Sequence, residues 1–390
     1  MKTSKIKFLP AILAASALAL TSCENNELEN MQQEAEMTES LSQDINPTAA
    51  ATDGNYIVVF KEGANESEAS SKKMLKSRAI TEMKSFDGVL KGFATKLSAD
   101  EAAELKNDSR VAFVEQDQEV FVSGSLEGAT ISEASSTQVV SWGTTTIGTG
   151  NGAATNRTAW IIDTGIQLNH PDLNVDVARS RSFVTGTTSP ADATGHGTQV
   201  AGIIAAKNNS IGTVGVAAGA KVVSLRVIGA SGSGTVSAVI AALNHVAQNG
   251  RPGDVVNLSL GSNPSLALDY TVQAVANKGI YVTIAAGNSN ANAANYSPAR
   301  VNHTNVFTIS GMRADKTFMG ISNWGTPVDF CAPGTGLKST SIGSTYKSVG
   351  GTSMAAPHVA GILLLKGRNI MNQGTVLNDP DGVADKIAKL

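Results

Sequence analysis

KVVSLRVIGASGSGTVSAVIAALNHVAQNGRPGDVVNLSLG, at residues 221–261, is the stretch that decides the fold. The apolar runs at 221–228 and 254–261 have the length and the β-branched content of buried strands. Between them, residues 235–250 have the apolar spacing of a helix and end in a glycine. A strand, a helix and a second strand in this order predict a βαβ unit with parallel strands.

The same alternation continues on both sides of this unit. Strand patterns occur at 158–166 and 280–288, and helical patterns at 196–206 and 265–279. Apolar strands that alternate with helices predict an α/β domain at 141–390, with a doubly wound parallel sheet covered by helices on both faces. In such sheets, functional residues gather at the carboxyl ends of the strands.

A smaller domain is predicted upstream, at 54–122. Its strand and helix patterns occur at 55–60, 68–79, 87–98 and 111–122. A further short helix should begin after Ser98, because Glu101 three residues later completes a capping box. This order predicts a small α+β, ferredoxin-like domain, and residues 123–140 are predicted to form a linker to the larger domain.

The N-terminal segment has the features of an export signal. Residues 1–22 combine early lysines with a short apolar run, and Cys23 follows directly in the sequence LTSC. This pattern resembles a bacterial lipobox, in which the acylated cysteine anchors the protein to a membrane. The alternative is a plain secretory signal with an incidental cysteine. Residues 23–53 are acidic and polar, which predicts a flexible tether.

Composition argues against several classes of protein. Of the 390 residues, 42% are apolar and the net charge is −3, so no nucleic-acid-binding surface is expected. Beyond the N-terminus, no apolar run has the length of a membrane span. The two cysteines are Cys23 and Cys331. If Cys23 is lipidated, Cys331 has no disulfide partner in the chain, and its apolar setting predicts a buried structural thiol.

Four polar residues lie at the ends of predicted strands or at the starts of predicted helices. Asp163 and Asn288 end strands, while His196 and Ser353 open helices. Together they supply what acyl transfer needs: a nucleophile, a base, a carboxylate that orients the base, and a donor to an oxyanion. Each residue taken alone has a structural alternative, because all four types also cap helices or stabilise turns.

Five motifs carry a resemblance to a known family: IIDTGI (161–166), GHGTQVAG (195–202), NLSLG (257–261), AAGN (285–288) and GTSMAAPHVAG (351–361). The series resembles that of the subtilisin-like serine peptidases, most closely the proteinase K branch, over about residues 141–370. The resemblance implies a serine endopeptidase that forms an acyl-enzyme at Ser353, with His196 as base and Asp163 as orienting carboxylate. It also implies that Asn288 binds the oxyanion and that the chemistry needs no cofactor.

The same resemblance gives the small domain a role. It is similar to the inhibitory propeptide of these peptidases, which aids folding and then places its C-terminal segment in the active site. We therefore expect autocleavage within 123–140, followed by hydrolysis of protein or peptide substrates. Because Cys23 lies upstream of the cut, the precursor would be anchored to a bacterial membrane, and the catalytic domain would be released as a monomer.

A substrate groove and a calcium site also follow from the resemblance. The groove is expected to comprise two backbone-pairing segments and a side-chain pocket, at Gly232, Ser233, Gly234, Ser259, Leu260, Gly261, Ala285, Ala286 and Gly287. Small residues in the pocket leave room for a large side chain, which implies broad specificity with an apolar or aromatic preference. A structural calcium ion would be bound by the Asp329 carboxylate and by the carbonyls of Thr304 and Val306.

The pattern around His196 departs from many relatives at Gln199 and Val200, which concerns packing behind the histidine.

Two other functions are consistent with part of the sequence. A surface-binding lipoprotein could keep the fold without the activity, although all four catalytic positions are intact. A lipase or esterase of the α/β-hydrolase type is disfavoured, since that class uses G-x-S-x-G whereas Ser353 lies in GTSMA.

Overall fold

The structure, a computed structural model, describes residues 54–64, 83–122, 130–131 and 137–390. The predicted signal segment, Cys23, the tether and the helix predicted at 68–79 lie outside the described residues. Within the described part of the chain, no helix is long and apolar enough to cross a membrane.

The small domain is a four-stranded antiparallel sheet with a short helix packed on it. Its elements are β1 (Gly54–Phe60), β2 (Met83–Asp87), β3 (Lys91–Leu97), α1 (Ala99–Lys106) and β4 (Val111–Gln116), and the strand order is β2-β3-β1-β4. The capping box predicted for α1 is confirmed, because the Ser98 hydroxyl accepts from the Glu101 backbone and the Glu101 carboxylate accepts from the Ser98 backbone. Alternate residues of β1 serve two cores: Val58 packs with Leu105 of α1, and Ile57 faces the larger domain.

The strand predicted at 111–122 is two strands in the structure. β4 ends at Gln116, and β5 (Glu119–Val122) leaves the small sheet to pair with the larger domain. At the break, the Asp117 carboxylate accepts a hydrogen bond from the Ser237 backbone at 2.9 Å. The prediction of one continuous strand was wrong because contacts with a distant part of the chain, absent from the local pattern, interrupt it.

The larger domain contains the remaining described strands and helices. Those of its first half are β6 (Thr130–Ile131), α2 (Trp142–Ile147), β7 (Gly150–Asn151), β8 (Thr158–Asp163), β9 (Asn174–Val175), β10 (Arg181–Ser182), α3 (His196–Ala205), β11 (Ala217–Ala218) and β12 (Lys221–Arg226). Those of its second half are β13 (Ser233–Thr235), α4 (Val236–Asn249), β14 (Val255–Leu258), β15 (Leu260–Gly261), α5 (Leu266–Asn277), β16 (Tyr281–Ala285), β17 (Val306–Met312), β18 (Val328–Pro333), β19 (Leu337–Ser341), β20 (Thr345–Val349), α6 (Thr352–Lys366), β21 (Met371–Thr375) and β22 (Lys386–Lys389). Within the predicted linker, β6 pairs with β20.

The central sheet has the strand order β10-β12-β8-β14-β16-β17-β18-β22-β21, and β9 also pairs with β12. Its pairings are parallel except for that of β21 with β22. The predicted α/β class with a parallel sheet is therefore confirmed. After β8 the chain adds strands on one side of it and then crosses to add β14 on the other. The carboxyl ends of β8 and β14 thus lie at a topological switch point, where sites form in such sheets.

Alternating side chains divide the core into two layers, one on each face of the sheet. Trp160 of β8 faces α4 and α5, and its neighbour Ile161 faces α3 and α6. Helix α6 runs through the second layer, and every residue from Thr352 to Leu364 is buried. A helix that is apolar all round suits this central position, and it brings its first turn to the carboxyl ends of the strands.

Candidate active site

Asp163 and His196 meet at the carboxyl end of β8. The fully buried Asp163 carboxylate places its two oxygens 2.8 and 3.0 Å from Nδ1 of His196, the first residue of α3. Gly197 allows this approach, because a Cβ there would lie 2.0 Å from the carbonyl oxygen of Gly165. A carboxylate at Nδ1 keeps the proton on that nitrogen, so Nε2 is the basic nitrogen of the imidazole.

A second carboxylate, that of Asp192, holds the turn that leads into α3. It accepts hydrogen bonds from the Thr164 hydroxyl at 2.7 Å, from the Gly195 backbone at 2.8 Å and from the Thr198 hydroxyl at 2.5 Å. The Thr164 hydroxyl in turn accepts from the backbone of Gly197 at 2.9 Å. Sequence reasoning missed Asp192. Its position just before the His196 motif, in ADATGHGT, is the signal that could have found it.

Ser353 is the second residue of α6, and its hydroxyl lies 3.4 Å from the carbonyl oxygen of Ser259. The Ser353 carbonyl lacks the helical donor one turn later, because Pro357 has no backbone N–H. The Ser259 hydroxyl takes that place and donates to the Ser353 carbonyl at 2.8 Å. The candidate nucleophile is therefore tied to Ser259 through its hydroxyl and through its carbonyl.

Ser259 is in turn fixed by the central sheet. Its hydroxyl accepts from the Asn257 amide at 2.9 Å, and the oxygen of that amide accepts from the Thr283 hydroxyl at 3.0 Å. All three side chains are fully buried. Ser259 is predicted to belong to the substrate groove through its backbone, and its side chain supports the start of α6.

Asn288 is oriented by Thr352, the residue that precedes Ser353. The amide oxygen of Asn288 accepts from the Thr352 backbone at 3.0 Å and from its hydroxyl at 2.9 Å. The same hydroxyl accepts from the Gly287 backbone at 3.2 Å. With its oxygen held in this way, the amide turns its nitrogen, which is the donor, away from Thr352. Thr352, which orients Asn288, was not identified from the sequence.

A three-stranded antiparallel sheet lies beside these residues, and its middle strand is β5. β5 pairs with β13 on one side and with β15 on the other. In this register Phe121 lies opposite both Ser233 and Gly261, and Val122 lies opposite Leu260. Gly234 lets β13 lie close to the segment that follows β12, since a Cβ there would lie 2.2 Å from the carbonyl oxygen of Val227. The segments predicted to pair with a peptide therefore pair with a strand of the same chain.

A pocket of about 160 Å³ opens beside the end of β5. Among its lining residues are Leu260, Gly261, Ala285, Ala286, Gly287 and Asn288. Asn323 was not identified from the sequence, yet it shapes this pocket by donating to the Ala286 carbonyl at 2.9 Å and accepting from the Ser289 backbone at 2.9 Å. The lining is small and apolar next to Asn288, which leaves room for a side chain.

Comparison with known proteins agrees with this geometry. A model of the Subtilase family matches residues 159–373, and a model described as peptidase inhibitor I9 matches residues 55–123. The chain belongs to the subtilase family. The first match contains all four candidate catalytic residues, and the second coincides with the small domain and β5. The small domain of this subtilase is therefore an inhibitor I9 domain.

Individual relatives extend the match across most of the subtilase. An M-protease of Shouchella clausii is 40% identical over 273 residues, 70% of this chain and 68% of that protein. A subtilisin-like protease 1 of Pseudogymnoascus destructans is 32% identical over 98% of this chain and 91% of its own length. An alkaline serine exoprotease A of Vibrio alginolyticus is 35% identical over 82% of this chain, which spans only 61% of that protein. A solved cold-adapted subtilisin-like serine proteinase is 36% identical, with a TM-score of 0.54 over 62% of this chain and 90% of its own.

Two carboxylates of the inhibitor domain cap helices of the subtilase. Glu115 accepts from the Ser265 hydroxyl at 2.5 Å and from the Leu266 backbone at 3.0 Å, at the start of α5. Asp117 accepts from the Ser237 backbone in the first turn of α4. Burial raises the pKa of Glu115 to about 7 and also raises the pKa of Asp117. The inhibitor domain thus places two carboxyl groups at the N-terminal ends of two helices, where they accept hydrogen bonds from otherwise unpaired backbone N–H groups.

The residues predicted to bind calcium are not joined by any contact that the structure gives. Asp329 is exposed, and its carboxylate accepts from the Thr308 backbone at 2.9 Å. Within the described residues, no group of three acidic, histidine or cysteine side chains could hold a metal ion. Oxygens converge elsewhere, around the side-chain nitrogen of Gln138, which donates to the Lys207 carbonyl, the Asn209 side-chain oxygen and the Ile211 carbonyl at 3.0 to 3.4 Å. Carbonyl and amide oxygens are suitable ligands for a hard cation.

Proposed function

We propose that this chain is the precursor of a serine endopeptidase that cleaves peptide bonds through an acyl-enzyme at Ser353. The observation that supports this most directly is the buried Asp163–His196 pair at the switch point, beside the supported start of α6. Thr352 also orients the Asn288 amide, whose nitrogen would stabilise the negative charge of the oxyanion. Family membership agrees with the same reaction class.

In the proposed reaction, Nε2 of His196 takes the proton of the Ser353 hydroxyl as that oxygen attacks the peptide carbonyl carbon. Asp163 stabilises the resulting imidazolium and does not itself accept the proton. The Asn288 amide nitrogen donates to the oxyanion of the tetrahedral intermediate. His196 then protonates the leaving amine, and water hydrolyses the acyl ester through the same steps in reverse order.

Labelling with a fluorophosphonate probe tests this proposal. The probe forms a covalent bond with an activated serine, so processed wild-type enzyme should be labelled and should hydrolyse a peptide substrate. Ser353→Ala should remain full-length, unlabelled and inactive. Wild-type protein that neither labels nor processes itself would overturn the proposal.

We propose a broad substrate range with an apolar or aromatic residue before the cleaved bond. Support comes from the pocket, whose walls include the small apolar residues Ala285, Ala286 and Gly287. Substrates would pair with β13 and β15 as an added strand, in the manner of β5. A Cβ added at Gly232, just before β13, would meet no atom within 4 Å, so this end of the groove is open. A peptide library with varied residues before the scissile bond would measure the preference.

Autocleavage is proposed within residues 123–140, most of which lie outside the described residues. Its support is that β5 ends beside the pocket that Asn288 also lines. We further propose export, lipid attachment at Cys23, and release of a monomeric catalytic domain after the cut. N-terminal sequencing of active enzyme tests this order of events. An active form that still begins at lipidated Cys23 would contradict it.

A structural calcium ion is proposed as well. The sequence-based site at Asp329, Thr304 and Val306 is one location, and the oxygens around Gln138 are another, which the contacts of Asn209 and Lys207 support. Chelation by EDTA should lower the thermal midpoint of the processed enzyme. Asp329→Asn and Asn209→Ala should distinguish the two locations, because only one of these changes should abolish the EDTA effect.

Assignment to the proteinase K branch is also a proposal, which a phylogenetic tree of the family would test.

A further inference from the structure

Helix α4 of the peptidase holds the β2–β3 turn of the inhibitor domain through a buried amide. Leu90, in this turn, donates its backbone N–H to the Asn244 side-chain oxygen at 3.1 Å. Its carbonyl accepts from the Asn244 side-chain nitrogen, also at 3.1 Å. Asn244 is 5% exposed and Leu90 is 1% exposed. Both ends of one amide are therefore satisfied by the main chain of a single residue.

A second amide reinforces this contact one helical turn later. Gln248 donates from its side chain to the Asp87 carbonyl. Residues four apart lie on the same face of a helix, so Asn244 and Gln248 form a pair of amides along α4. Both bind backbone atoms of the turn. Through these hydrogen bonds the peptidase recognises the backbone of the turn.

Gly88 is the exception, because its lack of a side chain is what the contact requires. A Cβ at position 88 would lie 2.5 Å from the Asn244 side-chain oxygen, 2.6 Å from Cγ and 2.8 Å from Cβ. Yet Gly88 is not among the glycines with positive φ, so its backbone conformation is open to other residues. Asn244, and not the turn geometry, excludes a larger residue at position 88.

We propose that Asn244 and Gly88 form a size-matched pair that determines which inhibitor domain this peptidase accepts. An inhibitor domain with any side chain at the position of Gly88 displaces the amide and loses both hydrogen bonds to residue 90. The inference rests on the proposed function, since it concerns how the proposed inhibitor is selected. It adds a specificity determinant that lies on the helix behind the groove, away from the catalytic residues.

Hydrogen exchange in the full-length Ser353→Ala chain tests the pair without any need for activity. Asn244→Ala should speed exchange of the Leu90 amide by about tenfold, because that amide loses the side-chain oxygen that accepts its hydrogen bond. Gly88→Ala should have a similar effect by itself. Ser85→Ala, an exposed change in the same hairpin, is the matched control and should leave exchange unchanged.

The double variant decides whether size matching is the cause. With Asn244 already reduced to alanine, Gly88→Ala meets no obstacle and should add no further increase in exchange. Effects that multiply in the double variant, or a Gly88→Ala chain that exchanges like wild type, would overturn the inference. Both positions use alanine, which α4 and the turn can accommodate, so loss of folding is not the expected outcome.

In the active chain, the delay between cleavage and the onset of peptide hydrolysis should shorten about tenfold in Asn244→Ala and in Gly88→Ala, by the same hydrogen-bond argument. The double variant should match Asn244→Ala. A wild-type chain with no cleavage at all would refute the proposed function, while the exchange experiment would still decide the pairing of Asn244 with Gly88. Normal cleavage with equal delays in all variants would refute the pairing alone.

Discussion

At the scale of single residues, Pro357 determines how Ser353, the candidate nucleophile, is held. A proline one turn into α6 removes the N–H that would bond the Ser353 carbonyl, and the Ser259 hydroxyl replaces it at 2.8 Å. Since Ser259 follows β14, the serine is linked to the central sheet by a side chain and not only by its own helix. The position of Ser353 therefore depends on a residue that touches no proposed reacting atom through its side chain.

Ser259→Ala should expose this dependence. The buried Ser353 carbonyl would lose its donor, and an unsatisfied buried polar group of this kind costs about 1–3 kcal/mol. We expect a lower free energy of unfolding and a lower kcat, with KM for a small peptide nearly unchanged. Urea titration and steady-state kinetics measure the two effects. An unchanged kcat would show that the Ser259 bond does not position the nucleophile.

Thr352→Val removes the hydroxyl that donates to Asn288 and accepts from Gly287, while it keeps the shape of the side chain. Asn288 would keep only the bond from the Thr352 backbone. A less well oriented amide should bind the oxyanion less tightly, and we expect kcat to fall about tenfold, the equivalent of one hydrogen bond. Thr352→Ser, which keeps the hydroxyl, is the control. Equal kcat values for the valine and serine variants would contradict the proposed role.

Sequence reasoning identified four candidate catalytic residues from their type and position: Asp163 and Asn288 at strand ends, and His196 and Ser353 at helix starts. It did not identify Thr352, Asp192 or Asn323, which orient them. These residues act through hydrogen bonds to backbone groups far away in the chain, as when Asn323 bonds Ala286. Threonine, aspartate and asparagine are also common in turns, so their type alone gives no signal.

At the scale of elements, β5 and the two capped helices connect the inhibitor domain to the site. β5 fills the groove between β13 and β15, and Glu115 and Asp117 just before it cap α5 and α4. The sequence pattern predicted β4 and β5 as one strand, because residues 111–122 contain no glycine or proline to mark a break. The two helices, by contrast, were predicted within a few residues, since their apolar periodicity is local.

The Glu115 cap should make docking of the inhibitor domain depend on pH. Burial raises the pKa of Glu115 to about 7 in the docked state, above the value of about 4.3 for an exposed glutamate. The docked state therefore binds more protons between these values. The contribution of Glu115 to the stability of the docked state is fully present below about pH 4 and is lost as the pH rises through about 7. Nearby Asp269 acts in the same direction.

Glu115→Gln tests this in the full-length Ser353→Ala background, which remains uncut. As the pH rises from 5 to 8, the urea concentration at the unfolding midpoint should decrease in the parent chain. It should decrease less in the glutamine variant. Glu119→Gln, in the exposed first position of β5, is the matched control and should behave like the parent. Parallel pH profiles in all three chains would contradict the role of Glu115.

At the scale of the whole molecule, the inhibitor domain and the peptidase share one hydrophobic core. Ile57, Phe86 and Leu90 of the small domain belong to the same cluster as the buried face of α4 and α5. The central parallel sheet brings together residues that are distant in the chain, and such contacts form slowly. A domain that packs on two helices can hold them while the sheet assembles.

Removal of residues 1–122 should therefore slow refolding. We expect the shortened chain, in the Ser353→Ala form, to regain its native near-UV circular dichroism much more slowly than the full-length chain after dilution from denaturant. Addition of the separate 54–122 domain should restore part of the rate. Equal refolding rates for the two chains would show that the small domain acts only as an inhibitor.

The antiparallel pairing of β5 with β13 and β15 has a further consequence if the chain is cut as proposed. Before the cut, the strand competes with substrates from within the same molecule, at an effective concentration in the millimolar range. After the cut, the strand competes only at the concentration of separated inhibitor domain in the solution. Under the proposed cut, dilution would favour activity, because it lowers the concentration of free strand that can bind the groove again.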